Sequence, residues 1–382
     1  MNVLHLSHTD IESDSRILKE MHAIASMDSK ATVFGIGVKL EEGSSQTESA
    51  ESLEIHSIIL RTRSWRWLPV VVRHFFSLIE LTFKMLRRAV AIKPSVIHCN
   101  DTLVLPLGVL LKFYTGAKLI YDAHELESDR NGLTVTLGKL TLFVERSLWR
   151  FVDSLIVVSP SIATWYASNV GDKDTTIILN SPVLGSGATK FDDSYLRDKY
   201  QIPKLAKIFI YIGILGDGRG IDLILEAFQK NEVTAHVVFL GYGLLKSNLL
   251  KVSKEQHNIH VHDAVPHEDV VSVAKSADVG LCLIQNVSLS DYYCLPNKLF
   301  EYCFAGVPVL ASKFPDIVEV VDKYKLGVCS QLDSESIYEA IIAIEELDRL
   351  PVIDVEKLYD LSWGAQAQKL AKLYAGLTLV KD

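Results

Sequence analysis

The sequence predicts an α/β protein of two Rossmann-like, doubly wound parallel-sheet domains facing each other across a cleft. Three observations carry this expectation. The chain has 382 residues, too many for one ordinary core at ~150 residues per domain. Short β-branched apolar runs alternate with longer helical segments, the grammar of βαβ units. That grammar runs through the first half, pauses in a polar, turn-rich stretch at Ser181–Tyr200, and then restarts. Apolar residues make up 48% and charged residues 23% of the chain, which fits a globular protein.

In the first half the runs Val3–Leu6, Ala31–Gly35, Val96–Cys99, Lys118–Ala123, Ser154–Val158 and Thr176–Leu179 read as strands. Helical spacing falls between them, near Ser15–Ser26, Pro69–Ala91, Leu103–Thr115, Thr134–Phe151 and Pro160–Ser168. In the second half, strands fit Lys207–Gly213, Ala235–Gly241, Ile259–His262, Val279–Leu283, Val307–Ala311 and Gly327–Cys329. Domains are therefore expected at 1–182 and 207–360. A linker is expected at 183–206, and a final helix, 361–382, is expected to pack back on the first domain.

A net charge of −8 argues against nucleic acid as a partner. Cys99, Cys282, Cys294, Cys303 and Cys329 show no metal-ligand spacing and read as reduced core residues of a cytoplasmic protein. The start, MNVLHLSH, lacks a signal-peptide n-region and h-region. No run approaches the ~20 apolar residues of a spanning helix. The expectation is a cytoplasmic protein, or one peripheral on the inner face of a membrane.

The chemistry-bearing residues concentrate at strand ends. Pro296 precedes a helix carrying Asn297, Lys298, Leu299 and Glu301. Proline suits a first turn, and the exposed N–H groups of such a turn, beside the Lys298 ammonium, make a diphosphate site. Glu301 lies one turn from Lys298 and Asn297 and can bind the vicinal hydroxyls of a ribose. GILGDGRG, Gly213–Gly220, follows a strand and precedes a helix. Its Gly213 and Gly218 let the backbone approach a ligand, and Arg219 can fork onto phosphate oxygens. Gly241 opens a GYG turn after another strand, too short for a dinucleotide fingerprint. In the first half, YDAHE places His124 past a strand end, where a neutral imidazole can hydrogen-bond a sugar hydroxyl or phosphate.

Residues 61–93 carry eight Lys or Arg against one acid, Glu80. On a helix, Arg73, Lys84, Arg87 and Arg88 share one polar side, Trp65 and Trp67 stand just ahead, and the rest is apolar. The pattern fits an interfacial helix on an anionic membrane surface; a crossover helix packed on its sheet is the alternative.

LPNKLFEYCFAGVPVLAS (Leu295–Ser312) resembles the donor-binding signature of retaining glycosyltransferases of family 4, which have the GT-B fold. DSRILKE, YDAHE, VVSPS, ILNSP, YIGILGDGRGIDLILEAF and LSWGAQAQKLAKLY follow in the family's order. The resemblance implies transfer of a hexose-type unit from a nucleoside-diphosphate sugar to a glycan or lipid-linked acceptor, with retention of configuration. The sequence offers no acidic cluster that would hold a divalent metal, so neither metal nor other cofactor is expected. The resemblance also implies His124, Arg219, Lys298 and Glu301 as catalytic residues. The base would sit near Ala264, Val265 and Pro266, and the loop bearing Asp10 near the acceptor. Three departures stand out. Tyr293 replaces the family's first Glu, with Asp291 and Asn297 as candidate substitutes. Ile214 stands where many relatives have Arg, and the first loop lacks glycine. The chain looks similar to a branch reading Pro-x-Lys-x-x-Glu-Tyr. A sugar-nucleotide epimerase or hydrolase, or a silent nucleotide-sugar-binding subunit, would use the same fold.

Overall fold

The computed structural model describes residues 1–27, 31–39, 52–183 and 190–379. The chain divides into two compact units. The first holds Met1–Ile178 and Ala367–Asp382, the second Leu179–Gln366.

The first unit has seven strands: β1 (Asn2–Leu6), β2 (Thr32–Lys39), β3 (Leu53–Ile59), β4 (Val96–Asn100), β5 (Lys118–Ala123), β6 (Ser154–Val157) and β7 (Thr175–Ile177). They pair in the order β3-β2-β1-β4-β5-β6-β7, all parallel. Its helices are α1 (Ser15–Met27), α2 (Val70–Ile92), α3 (Leu105–Thr115), α4 (Val135–Leu148) and α5 (Pro160–Asn169). Asp14 accepts the N–H groups of Arg16 and Ile17 and so starts α1, as its position before an apolar periodic run leads one to expect. β3 escapes the sequence pattern: it is an edge strand whose Glu54 and His56 interrupt the apolar run.

The second unit has helix α6 (Tyr195–Tyr200), strand β8 (Ile208–Ile214), α7 (Ile221–Phe228), β9 (His236–Tyr242), α8 (Lys246–Glu255) and β10 (Ile259–Asp263). After these come α9 (Val270–Ala274), β11 (Val279–Cys282), α10 (Leu289–Tyr292), α11 (Asn297–Phe304), β12 (Val309–Ser312), α12 (Pro315–Tyr324), β13 (Gly327–Ser330) and α13 (Ser334–Glu345). The sheet order is β10-β9-β8-β11-β12-β13, again parallel. Phe209, Phe228, Phe239 and Leu281 are among the side chains that fill its core.

The segment expected as a linker differs from that reading where it is described; residues 184–189 lie outside the described residues. α6 forms inside it because Leu196 and Ile202 bury themselves, and Tyr200 stacks on His260 with ring centroids 4.6 Å apart. The last helix, α14 (Trp363–Leu379), sends the buried Tyr374 hydroxyl to His98 Nδ1 at 2.8 Å. That bond ties it to the first sheet.

Each sheet reverses its strand order once, at β1/β4 and at β8/β11. In open parallel sheets the crevice beyond the strand carboxyl ends at such a point is where ligands bind.

Candidate functional site

In the second unit the carboxyl ends of β8 and β9 approach unusually closely. Gly213 and Gly241 are register partners, and a Cβ on Gly241 would stand 1.9 Å from Gly213 O. Gly241 also has φ +155, so only glycine fits here. The loop after β8 then closes onto the end of β11. Gly218 O accepts the Gln285 N–H at 3.0 Å, and a Cβ on Gly220 would lie 2.6 Å from Leu283 O. These contacts carry Arg219 to within 3.7 Å of Asp291. Asp291 is in turn held by the Ser288 hydroxyl at 2.7 Å.

α11 begins after Pro296 with no side chain capping it. Leu299 donates its N–H to Pro296 O at 3.0 Å, so it does not serve the anion site expected of it. The N–H groups of Asn297 and Lys298 find no backbone acceptor among the described residues. Lys298 reaches back across β8. Its Nζ lies 3.8 Å from the centroid of the buried Tyr211 ring and 3.7 Å from where a Gly213 Cβ would stand. That ammonium is buried without a hydrogen-bond partner among the described residues. The ring face offsets only part of the desolvation cost, and a buried, unpaired polar group in a folded protein calls for an explanation such as an absent ion. Glu301 is buried and stands 3.9 Å from His267 Nδ1, which brings the Ala264–Val265–Pro266 loop beside it. The second unit thus gathers Gly213, Gly218, Arg219, Gly241, Lys298 and Glu301 at strand carboxyl ends.

In the first unit the corresponding point is a charged cluster that sequence reading largely missed. His124 Nε2 is 3.4 Å from Asp122 and its Nδ1 is 3.7 Å from Asp101. Asp101, at φ +72, also holds His8 at 3.4 Å. Behind them Arg16 forks onto both Asp122 oxygens at 3.0 and 3.2 Å and lies 3.2 Å from Glu20. Burial works to raise the Asp122 pKa, but Arg16 and His124 hold it well below the usual carboxylate range. Burial, then the Asp122 charge, push Glu20 up to about 8. The expected neutral His124 is corrected: burial opposes its charge, yet the two aspartates raise it to about 10, so it is a cation at pH 7. The signal for this cluster was present. His5, His98 and Asp122 interrupt three neighbouring apolar strands, where buried parallel strands are normally continuous apolar runs.

A histidine whose folded pKa is raised stabilises fully below its unfolded value of 6.5 and loses that contribution as pH climbs through about 10. The first unit should therefore melt at progressively lower temperature between those limits. His124→Gln should flatten that slope in a pH series of thermal melts, and an unchanged slope would refute the charge assignment.

Among the described residues, His5, Glu20 and His98 bring metal-ligating atoms within 4.8 Å of one another. The Arg16 cation beside Glu20 opposes a second cation there, and both His98 nitrogens already face partners, Tyr374 and Asp122. Asp10, expected near the acceptor, spends its carboxylate on capping the turn at Ile11–Ser13 through the Glu12 N–H. Of the basic residues expected at a membrane, Arg87 and Arg88 are exposed and Arg73 is half-buried. Lys84 is not available: it donates to Ile59 O at 2.8 Å and pairs with Glu80 at 2.6 Å.

Residues 192–357 match the family described as glycosyl transferases group 1, and residues 25–180 match the glycosyl transferase 4-like domain. Each half of the chain thus resembles a glycosyltransferase domain. Among the proteins this chain is similar to is the chitobiosyldiphosphodolichol beta-mannosyltransferase of Candida albicans, 25% identical over 64% of the chain and 58% of the relative. The counterpart in Debaryomyces hansenii is 25% identical over 61% and 55%. The chain thus spans somewhat more than half the length of these relatives. Sucrose-phosphate synthase from Thermosynechococcus elongatus shares the fold, with a TM-score of 0.78 at 16% identity over 100% of both chains. So does Anabaena HepE in complex with UDP-glucose, with a TM-score of 0.74 at 14% identity over 98% of this chain and 100% of that one. These likenesses make the fold of the chain GT-B.

Proposed function

We propose that the protein transfers a sugar from a nucleoside-diphosphate sugar to a hydroxyl of a lipid-linked or glycan acceptor, retaining the anomeric configuration and needing no metal. The observation that carries this is the buried, unpaired Lys298 ammonium at the β8 carboxyl end. A diphosphate is the anion that such a cation, Arg219 and the first amides of α11 are suited to take. Glu301, beside the 264–266 loop, is suited to the ribose hydroxyls. In the reaction the anomeric C–O bond to the diphosphate breaks and a C–O bond to the acceptor forms on the same face. The acceptor proton leaves on the departing phosphate. Lys298 and Arg219 stabilise the charge that develops there, in a site that needs no reorganisation. Asp291, held beside Arg219, is the carboxylate suited to stand in for the glutamate absent at Tyr293. The dolichol-linked acceptor named for the Candida relative supports a lipid-linked acceptor, reached from the cytoplasmic face of a membrane.

A thermal-shift panel of UDP, GDP, ADP and their sugar conjugates tests the donor, since a ligand that binds only the folded state raises the melting temperature. Arg219→Ala should weaken the responding nucleotide by about tenfold, the loss of one charge-assisted contact. Affinity within about twofold of wild type, on the same scale, would remove Arg219 from the phosphate site. Binding of a donor with no product from any acceptor would favour a silent subunit, and an inverted anomeric signal in the product would overturn retention.

A further inference from the structure

α2 carries apolar side chains on both of its faces. Its buried stripe is Ser77, Leu81, Met85 and Ala89, and Glu80 and Lys84 are tied to the protein beside that stripe. Glu80 accepts the N–H groups of Arg61 and Thr62, at 3.1 and 2.8 Å, and the Thr62 hydroxyl at 2.6 Å. The Thr62 hydroxyl also lies 2.9 Å from that of Ser77. At ~100° per residue, Val72, Phe75, Ile79, Phe83 and Val90 share an arc roughly 140° from the middle of the buried stripe. All five are exposed, Phe75 by 61% and Phe83 by 66%. A helix facing water keeps polar residues on its outer face; here the centre of that face is apolar, with Arg87 and Arg88 exposed beside it. No helix among the described residues is long and apolar enough to cross a membrane.

Exposed apolar side chains extend to its neighbours. α2 packs on α3, and α3 on α4. α3 exposes Phe113 and Tyr114, and α4 exposes Leu140 and Phe143. Just before α2, Trp65 lies between Trp67, 79% exposed, and Phe76, with ring centroids 6.4 and 6.0 Å away. Contiguous apolar surface of this kind marks an interaction site. Its charge selects the partner. With Lys84 and Glu80 cancelling each other, Arg61, Arg63, Arg66, Arg87, Arg88 and Lys93 are exposed, and residues 61–93 offer no other acid.

We infer that the outer face of α2, α3 and α4 lies on an anionic lipid surface, with Trp67, Phe75, Ile79 and Phe83 inserted and the arginines among the headgroups. The inference rests on the lipid-linked-acceptor reading only for its purpose. Aromatic and aliphatic side chains bury in the interfacial layer while guanidinium groups stay with the phosphates. Insertion of apolar groups is also insensitive to salt, unlike attraction between exposed charges.

The test uses the full chain and sedimentation with phosphatidylcholine vesicles, with and without phosphatidylglycerol, at low and high salt. Wild type should pellet with the anionic vesicles and stay largely bound at high salt. Phe75→Ser/Ile79→Ser/Phe83→Ser should cut partitioning about a hundredfold without lowering the melting temperature, because the three side chains point outward. Arg87→Ala/Arg88→Ala should cost roughly twentyfold on anionic vesicles and nothing on neutral ones. Brominated acyl chains should quench wild-type fluorescence, and quenching should fall in Trp67→Phe. The inference is overturned if the triple serine variant pellets like wild type, or if no quenching occurs. It is equally overturned if light scattering shows a stable dimer that the serine variant dissolves while vesicles stay unbound. Vesicle binding intact with no nucleotide response would sink the transferase reading and leave this one standing.

Discussion

Lys298→Met should lower kcat/KM for the donor by about 10²–10³, the range for removing one preorganised charge from a developing phosphate anion. Nucleoside-diphosphate affinity should fall with it. The same variant should melt no lower than wild type. The ammonium is buried without a hydrogen bond, so its removal relieves a desolvation cost, while methionine keeps the stem packed against Tyr211. Function lost with stability kept is the signature of a group held for a ligand. Calorimetric titration and a melting curve on the same preparation check it. Unchanged affinity, or a melting temperature several degrees lower, would make Lys298 a structural residue.

Arg16→Met should destabilise the first unit by about 3–5 kcal/mol, the cost of breaking a buried ion pair from one side. Arg16 is the shared partner of Asp122 and Glu20 and also donates to Ile178 O at 3.0 Å. Without it Asp122 loses its one guanidinium partner among the described residues and is left with the flanking histidines and Glu20. Asp122→Asn should cost less. Glu20 stands 3.2 Å from the guanidinium and is held protonated by burial and by the Asp122 charge, so it can ionise in compensation. Urea unfolding of the two variants measures the difference, and equal costs would mean that Glu20 does not respond.

Much of the second unit's candidate site was legible because it is local. Pro296, Lys298 and Glu301 fall on one short helix, and Gly213, Gly218 and Arg219 on one loop, so spacing along the chain already states their geometry. The first unit's site is not local. His8, Asp101, Asp122 and His124 come from the ends of three strands, with Arg16 and Glu20 from a helix, and their residue types alone did not distinguish a cation from a neutral imidazole. Lys84 shows the same limit. Its helical position was read correctly as sharing a side with Arg87 and Arg88, but which side faces the protein depends on the Glu80 and Ile59 contacts.

By itself the sequence determined the two parallel-sheet units, the order along the chain of every strand but β3, and the loop and helix that bring Arg219 and Lys298 to the strand ends of the second. These follow from periodicities and turn residues that act over a few positions. Only the tertiary structure decided the charge on His124, the isolation of the Lys298 ammonium, and the outward turn of the α2 apolar face. Each depends on which distant groups share a low-dielectric space or leave a surface uncovered, and no spacing along one chain encodes that.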